Sequence, residues 1–150
     1  MRSVFGALAI VGLCGIVPAA ATPGVDERYV SDPANGIALY GYDPVAYFTD
    51  GRAVPGQREH EAEWNGAAWR FASAANMAAF LSAPEVYAPR FGGYDPAAVA
   101  NGAPAAGHPL IFAVRGEALY LFRSPGERDA FRDPRPAEKA WPRVEAQLAR

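Results

Sequence analysis

Short apolar runs separated by turn-forming residues occupy the chain from about residue 36 onward, and their spacing predicts its elements. In the segment GYDPVAYFTDG, Asp43 is placed to cap a helix, and Pro44 suits the first turn, where a missing N–H costs nothing. Gly51 suits the position that closes the helix. This pattern predicts a short helix from Pro44 to Thr49.

Two strand-like runs, EHEAEW and AAWRF, flank the pair Asn65-Gly66. Both residues of this pair tolerate positive φ, which favours a type I′ turn and therefore a β-hairpin. Ser73 is placed to cap the Ala-rich run AANMAAFL, and Pro84 ends that helix or starts the next turn. We expect the buried face of this helix to carry three residues: Met77, Phe80 and Leu81.

The second half of the chain repeats this order of elements. The string GYDPVAYFTDG is similar to the later GYDPAAVANG, and WNGAAWRFAS is similar to the later VRGEALYLFRS. Four pairs of anchor residues recur in the same order at nearly equal offsets: Gly41 and Gly93, Gly66 and Gly116, Ser73 and Ser124, Phe80 and Phe131. We infer two copies of a helix–β-hairpin–helix unit, at about residues 41–87 and 93–141. Chance matches in an Ala- and Gly-rich chain are the alternative interpretation.

A two-stranded hairpin is too small to be stable by itself, so the two units should pack together. The expected fold is α+β: one small domain of antiparallel strands with helices alongside, arranged as a single sheet with helices on one side. The segment from Ala137 to Arg150 should form a final helix, interrupted or restarted at Pro142, with Trp141 as its core anchor.

The N-terminus has the features of a secretory signal. Arg2 precedes an apolar run, and small residues at Ala19 and Ala21 fit a cleavage site, which predicts a signal peptide over residues 1–21. The apolar run is shorter than the roughly 20 residues that span a bilayer, so no membrane insertion is expected after cleavage. Residues 22–35 should be an extended lead-in to a domain over residues 36–150, and the mature protein should be periplasmic or secreted.

The amino-acid composition excludes some kinds of chemistry and some partners for the mature domain. Cys14 is the only cysteine and lies inside the predicted signal, so the mature domain is cysteine-free and has no disulfide or thiolate. The formal net charge is −2, and no stripe of lysine and arginine is present that would neutralise a run of phosphates. Nucleic acid is therefore not an expected partner.

Several strings of the chain carry a family resemblance: LYGYDPVAYFTDGRAVPG, WNGAAWRFASAANMAAFLSAPEVYAPRFGGYDPAAVANG, LYLFRS and the later WP. With these strings the chain resembles the exported bacterial YHS-domain family. The resemblance implies an α+β domain in which a hairpin leads into a helix, with metal-handling modules among wider relatives. The resemblance also implies metal-binding cysteines after the DPV string and near the start of the helix that follows the hairpin, but here Ala46 and Tyr47 follow Asp43-Pro44-Val45, and Ala72 precedes Ser73. Exported members tend to carry a cysteine after GGY, where this chain has Asp95.

Metal binding would have to use other ligands. His60 and His108 are the only histidines, and with carboxylates or methionine they are weak candidates for copper or zinc. Their separation has no ligand spacing, and a solvated strand face around His60 and a loop at His108 explain both without a metal. No cofactor is predicted.

The two GYDP segments supply the candidates for ligand binding, in a cleft between the two units: Tyr42, Asp43, Tyr47, Tyr94 and Asp95. Helix capping by the aspartates and core packing by the tyrosines are the plainer roles. No serine–histidine arrangement and no phosphate-binding glycine loop occurs, so the protein is expected not to be an enzyme. The sequence favours a module that binds an unknown small ligand or envelope protein, with copper or zinc handling as the alternative.

Overall fold

The computed structural model describes residues 28–149. Its helices and strands follow in this order: α1 (Ala46–Thr49), β1 (Gln57–Trp64), β2 (Ala67–Phe71), α2 (Ala74–Ser82), α3 (Pro84–Tyr87), α4 (Pro96–Ala100), β3 (His108–Arg115), β4 (Ala118–Phe122), α5 (Pro125–Ala130) and α6 (Arg135–Leu148). Short 3₁₀ segments at Leu39–Gly41 and Arg90–Gly93 precede α1 and α4. The predicted α+β class is confirmed.

The strands form two separate antiparallel hairpins, β1–β2 and β3–β4, in the described part of the chain. The expected single sheet is therefore wrong. Each hairpin turns on two residues with positive φ, Asn65-Gly66 in the first and Gly116-Glu117 in the second. The twist of such a turn matches that of the strands it joins, which is why the first was predictable from its Asn-Gly pair. The strand register aligns Gly116 with Asn65 as the first turn residue, so the predicted pairing of Gly116 with Gly66 is wrong by one position.

Both hairpins have the same irregularity in strand pairing, a register shift near the start of their first strand. The register shifts between Gln57 and Glu61 in one hairpin and between His108 and Phe112 in the other. Just before each shift, a glycine lies against the partner strand. A Cβ atom added to Gly56 would lie only 2.5 Å from Arg70, and a Cβ atom added to Gly107 would be similarly close to its own partner strand. These matching local geometries agree with an internal repeat, which itself stays a prediction.

Side-chain caps start three of the six described helices, α2, α4 and α5, at the residues that the sequence predicted. The hydroxyls of Ser73 and Ser124 accept hydrogen bonds from the amides at the starts of α2 and α5. Asp95 caps α4 in the same manner. Helix α1 begins at Ala46 rather than Pro44, although the Asp43 side chain still accepts from the amides of Val45 and Ala46.

The buried face of α2 is narrower than predicted. Phe80 is fully buried against Trp69 and Phe71, with ring centroids 5.0 and 5.1 Å apart. Met77 packs at the edge of the core, and Leu81 is 49% exposed. The expectation for Leu81 is wrong because a helix this short presents one narrow stripe to the hairpin, and Phe80 occupies it.

Helix α6 is continuous from Arg135 to Leu148, so the predicted interruption at Pro142 is wrong. Pro142 lies on the exposed side of the helix, while its buried stripe consists of Ala137, Val144 and Leu148. Trp141 is only partly buried and packs on Phe91, so it is not the core anchor that the sequence predicted.

The core extends further toward the N-terminus than predicted. Tyr29 and Val30 are buried members of the hydrophobic core, and the Val30 amide donates to the Gly92 carbonyl at 2.8 Å. The boundary near Gly36 is therefore too late, because residues of the supposed lead-in belong to the packed domain. The predicted signal peptide and residues 22–27 lie outside the described residues. Within residues 28–149, no helix has the length and apolar character needed to cross a bilayer.

Candidate functional site

Asp43 is fully buried, and all of its described contacts are with N–H donors. One carboxylate oxygen accepts from the amides of Val45 at 2.8 Å and Ala46 at 3.4 Å. The other accepts from the Ala72 amide at 2.8 Å and from the Asn76 side chain at 2.6 Å. The carboxylate therefore fastens the start of α1 to the segment between β2 and α2.

Asp95 has the same position in the second half of the chain and is also fully buried. It accepts hydrogen bonds from the amides of Ala98 at 3.0 Å and Arg123 at 3.1 Å. Both aspartates thus have the capping role that the sequence favoured. A ligand-binding role for either stays a prediction.

The three candidate tyrosines lie in or beside the core. Tyr47 is 1% exposed and donates its hydroxyl hydrogen bond to the Pro109 carbonyl at 2.9 Å. Burial raises the pKa of Tyr47. Tyr94 is buried, and Tyr42 is partly buried. The five candidates are brought close to the domain interior rather than into the cleft described next.

A solvent-accessible cleft of about 390 Å³ lies where the N-terminal segment, the tip of the first hairpin and α6 meet. Its volume falls within the roughly 300–1,000 Å³ of small-molecule sites. Four aromatic residues contribute to its walls: Tyr29, Trp64, Phe91 and Trp141. The rings form two pairs, with centroids 5.8 Å apart in both Tyr29–Trp64 and Phe91–Trp141.

A chain of polar contacts lines one wall of this cleft. Arg28 forms an ion pair with Glu145 at 2.7 Å and donates to the Asn65 side chain at 3.0 Å. The Asn65 amide group in turn donates to the Tyr29 hydroxyl at 2.9 Å. Burial raises the pKa of Tyr29, while the hydrogen bond from Asn65 opposes that shift. These contacts fix the N-terminal segment against the hairpin and α6.

Further charged side chains surround the aromatic walls. Glu85, Glu138 and Arg90 line the cleft beside Arg28 and Glu145. Within the described residues, Glu85 and Glu138 make no ion pair. The cleft therefore combines aromatic faces with carboxylates that are free to meet a ligand, a combination that suits an organic cation.

The two histidines lie outside this cleft. His60 is a partly buried residue of β1, and His108 is the exposed first residue of β3 rather than part of a loop. The His108 ring nitrogen Nδ1 accepts from the Leu110 amide at 3.2 Å. Across residues 28–149, no three His, Cys, Asp or Glu side chains cluster as a metal site would require.

Residues 45–91, from the start of α1 through the first hairpin to the end of α3 and Phe91, match the family model of the YHS domain. The chain contains a YHS domain. No curated protein and no solved structure shows significant similarity to the chain. Seven residues of the cleft walls lie inside the YHS match: Trp64, Asn65, Glu85, Ala88, Pro89, Arg90 and Phe91.

The YHS domain is associated with metal handling, so the fit of a metal can be tested on the donors present. Ala46 and Ala72 stand where the family resemblance implied metal-binding cysteines, and both donate their amides to Asp43. Asp43 already accepts four N–H donors, which leaves little capacity for a cation. The residues at these positions do not fit a soft metal ion.

Sequence reasoning did not identify the cleft. Its residues come from four distant segments, and Arg28 and Glu145 are separated by 117 positions. The available signal was the pair of partly exposed tryptophans, Trp64 and Trp141, because such rings at a surface often mark a binding site. Without a fold, nothing in the sequence places these two residues on the same cleft.

Proposed function

We propose that this YHS-domain protein is an exported, non-enzymatic binding module that accepts a small organic ligand, or a side chain of an envelope protein, in the aromatic cleft. The observation that carries the proposal is the meeting of Trp64 and Trp141 with the carboxylates of Glu85 and Glu138 around one accessible volume. The absence of a recognisable catalytic arrangement in the sequence supports a role in binding.

The ligand should present a flat or apolar part together with a positively charged group. Aromatic rings offer such a group their negative faces, and the two carboxylates add charge attraction. The ion pair between the Arg28 guanidinium and Glu145 at the cleft supports this preference for a positively charged group. An organic amine or the side chain of a basic residue fits this description.

Metal handling with copper or zinc is the second candidate, and the YHS match is the observation in its favour. It would require His60, His108 or carboxylates as ligands. The arrangement of the described residues gives it little support, because neither histidine belongs to a cluster of three ligand-type side chains.

Export has its own test. The mature protein, isolated from the envelope and culture fractions, should begin at Thr22, immediately after Ala21. N-terminal sequencing that finds residues 1–21 retained on a cytoplasmic protein would contradict the export part of the proposal.

Ligand binding can be tested by ligand-observed NMR with a library of small aromatic amines and carboxylates. We expect saturable binding of amines such as 2-phenylethylamine, and weaker or no binding of 3-phenylpropionate. Trp141→Ala should abolish the amine signal, whereas Arg143→Ala, on the exposed side of the same helix, should retain it. Equal binding by both variants would overturn the assignment of the cleft.

A further inference from the structure

A second groove, which shares Arg90 and Glu138 with the aromatic cleft, is lined by three arginines. It has a volume of about 300 Å³ and lies between the tip of the β3–β4 hairpin and the start of α6. Arg90, Arg115 and Arg132 line it together with Tyr120. No part of the YHS match other than Arg90 reaches this groove.

Two of the arginines are held in place by uncharged partners. Arg115 donates to the Phe131 carbonyl, and its guanidinium lies over the Phe131 ring, 5.6 Å from the centroid. Arg132 donates to the same carbonyl at 2.9 Å. Two positive charges therefore converge on one oxygen atom, so an anion at this point would be attracted by both.

The acidic side chains nearby do not neutralise these arginines. Within residues 28–149, Arg90, Arg115 and Arg132 have no carboxylate within ion-pair distance. Asp129 pairs with Arg128, and Asp133 pairs with Arg135. Glu138 is the one acidic residue among the groove's lining residues, so the lining keeps an excess of positive charge.

Tyr120 adds a neutral donor. The residue is only 4% exposed, yet its hydroxyl makes no hydrogen bond with any described residue. Its hydroxyl is not sealed from solvent, because no fully buried polar side-chain atom in the described part of the chain lacks a partner. The Tyr120 hydroxyl is thus a free donor in a groove that otherwise presents guanidinium N–H groups.

We propose that this groove is a binding site for a phosphate-class oxyanion, held by Arg90, Arg115 and Arg132 with the Tyr120 hydroxyl as a further donor. Guanidinium groups match the geometry of phosphate oxygens and can donate two hydrogen bonds to each. The ligand class is a small phosphate ester or free phosphate. The groove has the volume of a small-molecule site, and the net charge of −2 disfavours a polymeric anion.

The site can be tested by titrating the mature protein with inorganic phosphate and glycerol phosphate, following amide NMR shifts at constant ionic strength. We expect saturable shifts around Arg115, Tyr120 and Arg132. The double variant Arg115→Gln, Arg132→Gln should weaken binding at least about tenfold, given that a charged hydrogen bond contributes roughly 1.5–3 kcal/mol. Glu138→Gln should tighten binding, because it removes the acidic residue from the lining.

Arg58→Gln is the matched control, because Arg58 is an exposed arginine of the first hairpin that makes no ion pair in the described structure. It should bind phosphate as the unmodified protein does. Equal weakening by Arg58→Gln, or identical shifts with chloride alone, would overturn the proposal. So would binding to phosphatidylglycerol vesicles without binding to either soluble phosphate, since that result would assign the arginines to a membrane surface.

Discussion

The Asp43 side chain accepts a hydrogen bond from the Ala72 amide at 2.8 Å, which joins the start of one helix to the start of the next. Asp95 makes the corresponding contact with the Arg123 amide at 3.1 Å. In each half a buried carboxylate therefore organises the segment that follows a hairpin. Asp43 has an additional donor, the Asn76 side chain at 2.6 Å.

Asp43→Ala should lower the free energy of unfolding by about 3 kcal/mol or more, because it leaves several buried donors without an acceptor. Asp95→Ala should cost less, roughly 2 kcal/mol, because fewer donors depend on it. Urea unfolding followed by circular dichroism measures both values. Asp43→Asn, which retains one acceptor oxygen, extends the comparison if the alanine variant does not fold. The reverse order of destabilisation would contradict this account.

Features governed by neighbouring residues were predictable from the sequence. Asn65-Gly66 specified a hairpin turn because both residues tolerate positive φ, and Ser73 and Ser124 specified helix starts because their hydroxyls accept main-chain N–H groups. Asp95 followed the same rule. In each case the interaction spans only a few residues, so the sequence pattern contains all of it.

Features that depend on distant contacts were not predictable. The exposure of Leu81 and the partial burial of Trp141 depend on which neighbours fill the core. The periodicity of hydrophobic residues alone does not identify those neighbours. The burial of Tyr29 arises from its packing against Trp69, 40 positions further along the chain, with centroids 4.8 Å apart. The candidate cleft depends on the same kind of contact, so the sequence placed the site at the GYDP segments instead.

Gly92→Ala should displace the N-terminal segment from the domain. A Cβ at Gly92 would lie 1.9 Å from the Arg28 carbonyl oxygen, and the residue has φ +61°. Gly66→Ala is the matched control, because Gly66 also has positive φ but open space around it. We expect Gly92→Ala to cost at least about 2 kcal/mol more than the control. Thermal and urea unfolding provide the comparison, and equal costs would show that the contact with Arg28 is easily relieved.

Tyr47→Phe should make stability less sensitive to alkaline pH. Burial raises the pKa of Tyr47 in the folded state, whereas an unfolded tyrosine ionises near pH 10. The unfolded state therefore loses its proton first, and the stability contributed by neutral Tyr47 is present below about pH 10 and falls as the pH rises further. At neutral pH the variant should lose about 1 kcal/mol with the hydrogen bond to Pro109.

Urea midpoints measured at intervals from pH 8 to about pH 12 test this expectation for Tyr47. The buried residues Tyr29 and Tyr120 have raised pKa values from the same cause, so part of the alkaline loss should persist in the variant. An unchanged slope in Tyr47→Phe would contradict the assigned burial effect.

The mature protein should not bind copper or zinc stoichiometrically at micromolar concentration, because Asp43 is occupied by N–H donors and the described residues contain no ligand cluster. Isothermal titration calorimetry measures this directly. Binding of one equivalent that disappears in the double variant His60→Ala, His108→Ala would instead support metal handling.

The most direct measurement of the central claim is protein-observed NMR during titration with 2-phenylethylamine. Trp64 and Trp141 line the cleft, whereas Trp69 is fully buried away from solvent. The account predicts saturable shifts of the Trp64 and Trp141 indole N–H signals and of the Asn65 and Gly92 amides, with the phosphate-responsive signals near Arg115 unchanged. Shifts confined to residues around Tyr42 and Tyr94, or no shift at the cleft for any member of the amine library, would contradict it.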